Sequence, residues 1–193
     1  MISDSYIAAA DAAAQALEAL GQPFCLIGGM ALPAWGRLRF THDVDFLLLV
    51  AADRFPKVAG QVVQSLRERG FAHLERTDRK RLEDKLVLFF YYPIPDQGLS
   101  IRVDAILAAG PFHAKVLERK QKRRINDHEV WVAACEDLIL LKMAAGRPID
   151  VADAKALFSR NATTLDRGHL STWAAQLGLD ALWAEVSRGE ADA

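Results

Sequence analysis

Apolar positions recur every three and four residues at the start of this chain: Ile7, Ala10, Ala14, Leu17 and Leu20 fall on one stripe. The spacing predicts a helix over residues 3–20, stopped by Gly21 and Pro23. The pattern then shortens. Residues 24–27 (FCLI) form an apolar run ended by Gly28-Gly29, and residues 30–35 can make the first turns of a second helix, with Pro33 tolerated only near its start. Residues 43–50 (DVDFLLLV) are almost continuously apolar behind two acids, the pattern of a buried strand. A helical period returns over 55–69, with Gly70 as its stop. Two strands are expected at 85–92 and 100–107, joined by the turn-rich stretch 93–98. In the second, Ile101, Val103, Ala105 and Leu107 share one face, and Ser100, Arg102 and Asp104 share the other. A basic segment, 117–124, leads to a short strand around 129–133. From Glu136 the pattern is helical, with breaks near Gly146-Arg147-Pro148, at 161–164 and at Gly178.

The fold class expected is therefore α/β (α+β), a mixed central sheet with flanking helices. Residues 1–133 would form the sheet-bearing part, and 134–193 a helical portion packed on it. The 193 residues, half of them hydrophobic and a quarter charged, suffice for one domain with a real core. A net charge of −1 excludes a chain-wide basic clamp, so any partner must be recognised by local patches. Cys25 and Cys135 lie among apolar neighbours outside any metal-type spacing and read as buried thiols in a reducing cytosol. The Ala-rich opening carries Asp4, Asp11 and Glu18 and lacks the basic start of a signal peptide. No apolar run reaches the roughly 20 residues of a bilayer span, so a cytoplasmic location without a membrane partner is expected.

The candidate chemistry lies in residues 26–50. Asp43 and Asp45 are two apart on a strand, so their carboxylates project from one face and repel each other. A hard divalent ion such as Mg2+ or Mn2+, which takes oxygen ligands and keeps waters for a substrate phosphate, would relieve that repulsion. The alternative is a strand end whose acids pair with Arg37 or Arg39. Gly28-Gly29 stands fourteen residues before Asp43, between a strand and a helix, where backbone N–H groups can approach a phosphate. Asp104, mid-strand in SIRVDAIL, is either a third metal ligand or base, or a salt-bridge partner of Arg102. Arg39 and Thr41 offer a guanidinium and a hydroxyl to phosphate oxygens.

These residues resemble the DNA polymerase beta-type nucleotidyltransferase superfamily. Its pattern is a hydrophobic residue followed by Gly-Gly or Gly-Ser, then an Asp-x-Asp pair and a third acid on a later strand. Ile27-Gly28-Gly29, Asp43-Val44-Asp45 and Asp104 match it in order. The segments GGMA…RFTHDVDF and EDLILLKMAAGRPIDVADAKAL are more closely similar to small bacterial nucleotidyltransferases of the AbiEii toxin type, over roughly residues 20–160. Lys142, Arg147, Asp150 and Asp153 stand where those proteins have a helix lysine and a following Arg-x-x-Asp segment. Gly29 stands where many members have Ser, so contact there would come from backbone alone.

The resemblance implies a nucleotidyltransferase fold and NMP transfer from a nucleoside triphosphate, ATP included. The acceptor would be a tRNA end, a protein hydroxyl or a small molecule. Asp43, Asp45 and Asp104 would serve as metal ligands, Asp104 would activate the acceptor, and Lys142 would meet the triphosphate. It also implies a cognate antitoxin as partner. A catalytically silent module on the same fold, and a metal-dependent phosphohydrolase, remain as alternatives. For Lys142 the residues alone equally allow a snorkelling helix side chain, and for Asp150 and Asp153 a helix start.

The histidines, at 42, 73, 113, 128 and 169, show no ligand spacing, and His42 should point away from Thr41 and Asp43. Two basic stretches, RTDRKR (76–81) and RKQKRR (119–124), are either solvated faces or guides for RNA phosphates. Trp35, Trp131, Trp173 and Trp183 sit in apolar settings and are expected to pack.

Overall fold

The structure, a computed structural model, describes residues 4–73, 79–81, 84–95 and 97–188. The chain opens with helix α1 (Asp4–Glu18), strand β1 (Phe24–Ile27) and a one-turn helix α2 (Gly28–Ala31), which continues as a 3-10 turn over Leu32–Trp35. Strand β2 (Asp43–Leu49), helix α3 (Phe55–Arg67), and strands β3 (Arg79–Arg81), β4 (Lys85–Ile94) and β5 (Leu99–Ala108) follow. Next come helix α4 (Pro111–Arg119) and the hairpin β6 (Gln121–Ile125) and β7 (His128–Val132). Four helices close the described chain: α5 (Cys135–Ala145), α6 (Pro148–Asn161), α7 (Arg167–Gln176) and α8 (Asp180–Ser187). The strands make one mixed sheet in the order β3-β4-β5-β2-β1-β7-β6. Among the described residues no helix is long and apolar enough to cross a membrane.

The centre of the sheet follows from composition. β1 is buried at all four positions, and Val44, Phe46, Leu47 and Leu48 of β2 are buried behind the acids. β2 runs antiparallel to β1 and parallel to β5, so it has hydrogen-bonding neighbours on both sides. Helix α1 offers small residues to its neighbours: Ala9, Ala13 and Ala16 are fully buried, and the Ser65 hydroxyl of α3 donates to the Ala16 carbonyl at 2.9 Å. A single core runs from Ile7 to Val186 and joins the sheet to the closing helices.

The second helix begins at Gly28 rather than at Met30, and Pro33 falls at the start of the 3-10 turn, where its missing N–H breaks no bond. β4 extends through Pro93 and Ile94, which pair with Ser100 and Leu99, so the connecting turn is shorter than its Pro and Gly content predicts. Residues 117–124 resolve into the end of α4 and most of β6. β6 carries no alternation because it is the outermost strand. Gln121, Lys122, Arg123 and Arg124 are all exposed, and only Ile125 is buried. The cations are not loose, however. Lys120 and Lys122 lie over the Trp131 ring at 4.9 and 5.4 Å, and Arg123 lies over Trp35 at 4.2 Å. Of RTDRKR, residues 76–78 lie outside the described residues, and Arg79–Arg81 form β3.

A second polar network holds the closing helices. Asp137 of α5, fully buried, accepts from Arg119 at 3.1 Å and shares a 2.7 Å hydrogen bond with His169 of α7. Glu136 binds Arg119 and the Asp166 backbone N–H. The other histidines have separate surroundings: His73 bonds the Phe89 carbonyl, His113 the Ala109 carbonyl, His128 faces Asp11, and exposed His42 stands edge-on to Phe40. Cys25 and Cys135 are free and buried, and burial pushes both thiols up to about 12, which keeps them protonated and inert.

Candidate active site

Strand register builds the site. Asp45 pairs with Ile27 of β1 on one side and with Asp104 of β5 on the other, while Asp43 pairs with Arg102. Two acids separated by 59 positions in sequence (104 − 45) therefore stand side by side on adjacent strands. Burial, and then the charges of Asp43 and Asp104, push the Asp45 carboxyl up to about 7. Asp104 is buried, and its carboxyl is raised above the ordinary range by desolvation, with Arg102 pulling it part of the way back. Arg102 grips Asp104 with two hydrogen bonds of 2.7 Å, the salt bridge that their shared strand face allows.

Gly28 lies against Asp45, and Gly29 against Thr41. Gly28 has a left-handed φ of +65°, and a Cβ there would stand 2.0 Å from Asp45 Oδ2. A Cβ on Gly29 would meet Thr41 Oγ1 at 2.4 Å, so the space that a serine side chain would occupy is filled by Thr41. Thr41 is buried and its hydroxyl donates to Asp43 Oδ1 at 3.0 Å. Gly28→Ala is expected to cost about 2 kcal/mol or more of stability through strain and displacement of Asp45. A urea midpoint lowered at unchanged slope would check this; an unaltered midpoint would contradict the packing described.

A buried charge cluster backs the acids. Lys142 of α5 is 4% exposed, and its ammonium lies 2.8 Å from Asp150 Oδ1 and 3.1 Å from Asp153 Oδ2. It does not snorkel; it is enclosed by its partners, near enough to Asp45 to favour that group's ionised form. Asp153, fully buried, also receives Arg39 Nε at 2.9 Å, and Arg37 Nε lies 3.5 Å away. Both arginines are thus turned to α6 and not to Asp43 or Asp45. Asp150 is an interior ligand of Lys142 and Arg147 rather than a plain helix start. Burial raises its carboxyl, but those two donors outweigh burial and leave it below the usual range. Arg147 is 70% exposed in its side chain and feels the charges of Asp43 and Asp45.

Residues 37–42 alternate like a strand, although among the described residues no strand pairs with them. Arg37, Arg39 and Thr41 turn inward to Asp153 and Asp43, while Leu38 and Phe40 stand 69% and 70% exposed. The structure brings Gly28, Gly29, Thr41, Asp43 and Asp45 together where β1 ends and β2 begins, with Asp104 beside them in the middle of β5. Lys142, Asp150 and Arg39 are joined to that region through Asp153. Arg147 and Asp153 are legible as motif positions, and the Arg102–Asp104 pair is the salt-bridge alternative that their two-residue spacing allows.

A hard cation fits the Asp43–Asp45 pair, where half-buried like charges leave an electrostatic deficit. Among the described residues no group of three or more His, Cys, Asp or Glu side chains is gathered to hold a metal ion. Asp104 is beside the pair in register but directed to Arg102.

The sequence matches the family model described as nucleotidyl transferase AbiEii toxin, type IV toxin–antitoxin system, over residues 12–174. This chain belongs to the AbiEii nucleotidyltransferase family. Solved structures share its fold. The antibiotic-resistance factor ANT(2'')-Ia has 18% identity and a TM-score of 0.53, covering 94% of this chain and 91% of that one. JHP933 from Helicobacter pylori has 15% identity and a TM-score of 0.52, covering 98% and 91%. An antigenic nucleotidyltransferase-like protein from Paracoccidioides brasiliensis has 15% identity and a TM-score of 0.50, covering 94% and 93%. A comparison with curated proteins finds no match.

Proposed function

We propose that this AbiEii family member moves a nucleoside monophosphate from a nucleoside triphosphate to an acceptor hydroxyl, with Asp43, Asp45 and Asp104 as its working acids. The observation that carries the reading is the β2–β5 register, which sets Asp45 beside Asp104, with Gly28 packed against Asp45. Asp43 and Asp45 would hold Mg2+ or Mn2+, with Asp104 as a third ligand once it leaves Arg102. Such ions stabilise charge on attacking and leaving oxygens.

The protein's own groups do the rest. Backbone N–H groups at Gly28 and Gly29 meet a phosphate. Asp104 accepts the proton of the acceptor hydroxyl, whose oxygen bonds to the α-phosphorus. The bond from that phosphorus to the bridging oxygen of the β-phosphate breaks, and pyrophosphate leaves. Lys142 and exposed Arg147 offset the charge of the triphosphate. Arg39 and Thr41 hold Asp153 and Asp43 in place, and reach phosphate only on leaving those partners. Residues 1–133 are the catalytic portion, and 134–193 the helical portion that supplies Lys142, Arg147 and Asp150.

The acceptor is a tRNA end, a protein hydroxyl or a small molecule, the setting is cytoplasmic, and a cognate antitoxin is the partner that family membership favours. One observation favours the second reading, a catalytically silent binding module: Arg102 already occupies Asp104. Incubation with each α-labelled nucleoside triphosphate, Mg2+, total tRNA and total soluble protein separates the two. Label transferred to RNA or protein, and lost in Asp43→Ala and Asp45→Ala, supports transfer and identifies the acceptor class. No transfer and no Mg2+-dependent triphosphate binding leaves the silent module.

A further inference from the structure

The third acid, Asp104, is engaged by the Arg102 guanidinium. Asp104 is 8% exposed in its side chain, whereas Arg102 is 44% exposed, so the guanidinium covers the carboxylate from the solvent side. Both of the pair's hydrogen bonds are 2.7 Å, and between them they engage both carboxylate oxygens. The same guanidinium lies over the Phe89 ring, 4.4 Å from its centroid, and Phe89 is the β4 residue in register with Asp104. The aromatic face gives the cation a second place to rest when its carboxylate is taken. Asp43 is directly opposite Arg102 on β2, so all three acids feel this one positive charge or one another.

We propose that Arg102 is a resident counter-ion for the third acid, which a divalent cation must displace from Asp104 before the three carboxylates act together. The inference rests on the nucleotidyl-transfer reading of the site. Arg102 is then a positioning residue: it keeps Asp104 aimed while no metal is present, and yields it on metal entry. Its removal should tighten divalent-ion binding while loosening the metal-free site.

The test is Mn2+ titration of the full chain without nucleotide, followed by the loss of the free-ion electron paramagnetic resonance signal. Arg102→Gln is expected to bind Mn2+ roughly tenfold more tightly than the parent, since one competing positive charge at the site is gone. Arg102→Lys, which keeps the charge but cannot grip both oxygens, should show a smaller gain and guards against poor folding of the glutamine variant. Adding Asp104→Asn to either variant should abolish the gain. Mn2+ bound by the parent with equal or weaker binding by both Arg102 variants overturns the proposal and leaves the metal site standing. No Mn2+ binding by any of the proteins at millimolar concentration instead defeats the metal reading itself, and the proposal with it.

Discussion

Replacing Asp45 by Asn should lower nucleotidyl transfer by roughly a thousandfold or more, and at the same time stabilise the metal-free protein at neutral pH. Both effects come from one cause. Burial, Asp43 and Asp104 push the Asp45 carboxyl from an ordinary 3.8 to about 7 in the folded chain. A folded-state value above the unfolded one means that this group's stabilising contribution is complete below pH 4 and lost as the pH rises through 7. The difference corresponds to at most about 4 kcal/mol, and the side chain's partial access to water reduces it to about 2. Thermal unfolding in a chelator between pH 4 and 8 checks this. The parent should lose stability across that window relative to Asp45→Asn, and Mg2+ should restore it to the parent only. Parallel curves would show that the acids are not in electrostatic conflict.

Asp153→Ala should be the most damaging change outside the acids, costing about 3–5 kcal/mol. Asp153 is fully buried and answers Arg39, Arg37 and Lys142 at once. Removing its carboxylate strips Arg39 of its ion-pair partner and leaves Lys142 with Asp150 alone. For a chain of this size the loss corresponds to a melting temperature lower by roughly 6–20 °C. Asp153→Asn, which retains hydrogen-bond acceptance, should lose less. Transfer should fall in both variants, because Arg39 anchors the segment whose Thr41 holds Asp43. A stable Asp153→Ala protein with ordinary activity would remove the cluster from the working site.

Much of this architecture is legible in the sequence. The 3.6-residue period marked α1, α3 and the closing helices, and the apolar runs marked β1 and β2, because each of those elements buries a face. Elements with little buried surface left no such trace. β6 exposes Gln121 through Arg124 and read only as a basic segment, although the Asn126-Asp127 corner, with Asn126 at φ 52°, is a hairpin turn. The acid pair and the glycine pair were legible from spacing. The neighbourhood of Asp45 and Asp104 was not, since strand order is set by packing across the whole sheet. Nor could the sequence show Arg39 joined to Asp153, 114 positions away, in preference to the acids beside it. The Arg102–Asp104 pair was visible as one of two options, because residues two apart on a strand share a face.

The long separations that make the site also decide when it comes into being. The glycine pair and acid pair emerge early in synthesis, but β5 must be made before Asp104 can stand beside Asp45, and α6 before Asp153 can fix Arg39. At about 5–20 residues per second, the acid pair waits several seconds for these later-made neighbours. On the proposed reading, a chain stopped before α6 would carry the acid pair without Asp150 and Asp153, the partners of Lys142 and Arg39, and its transfer is expected to be lost.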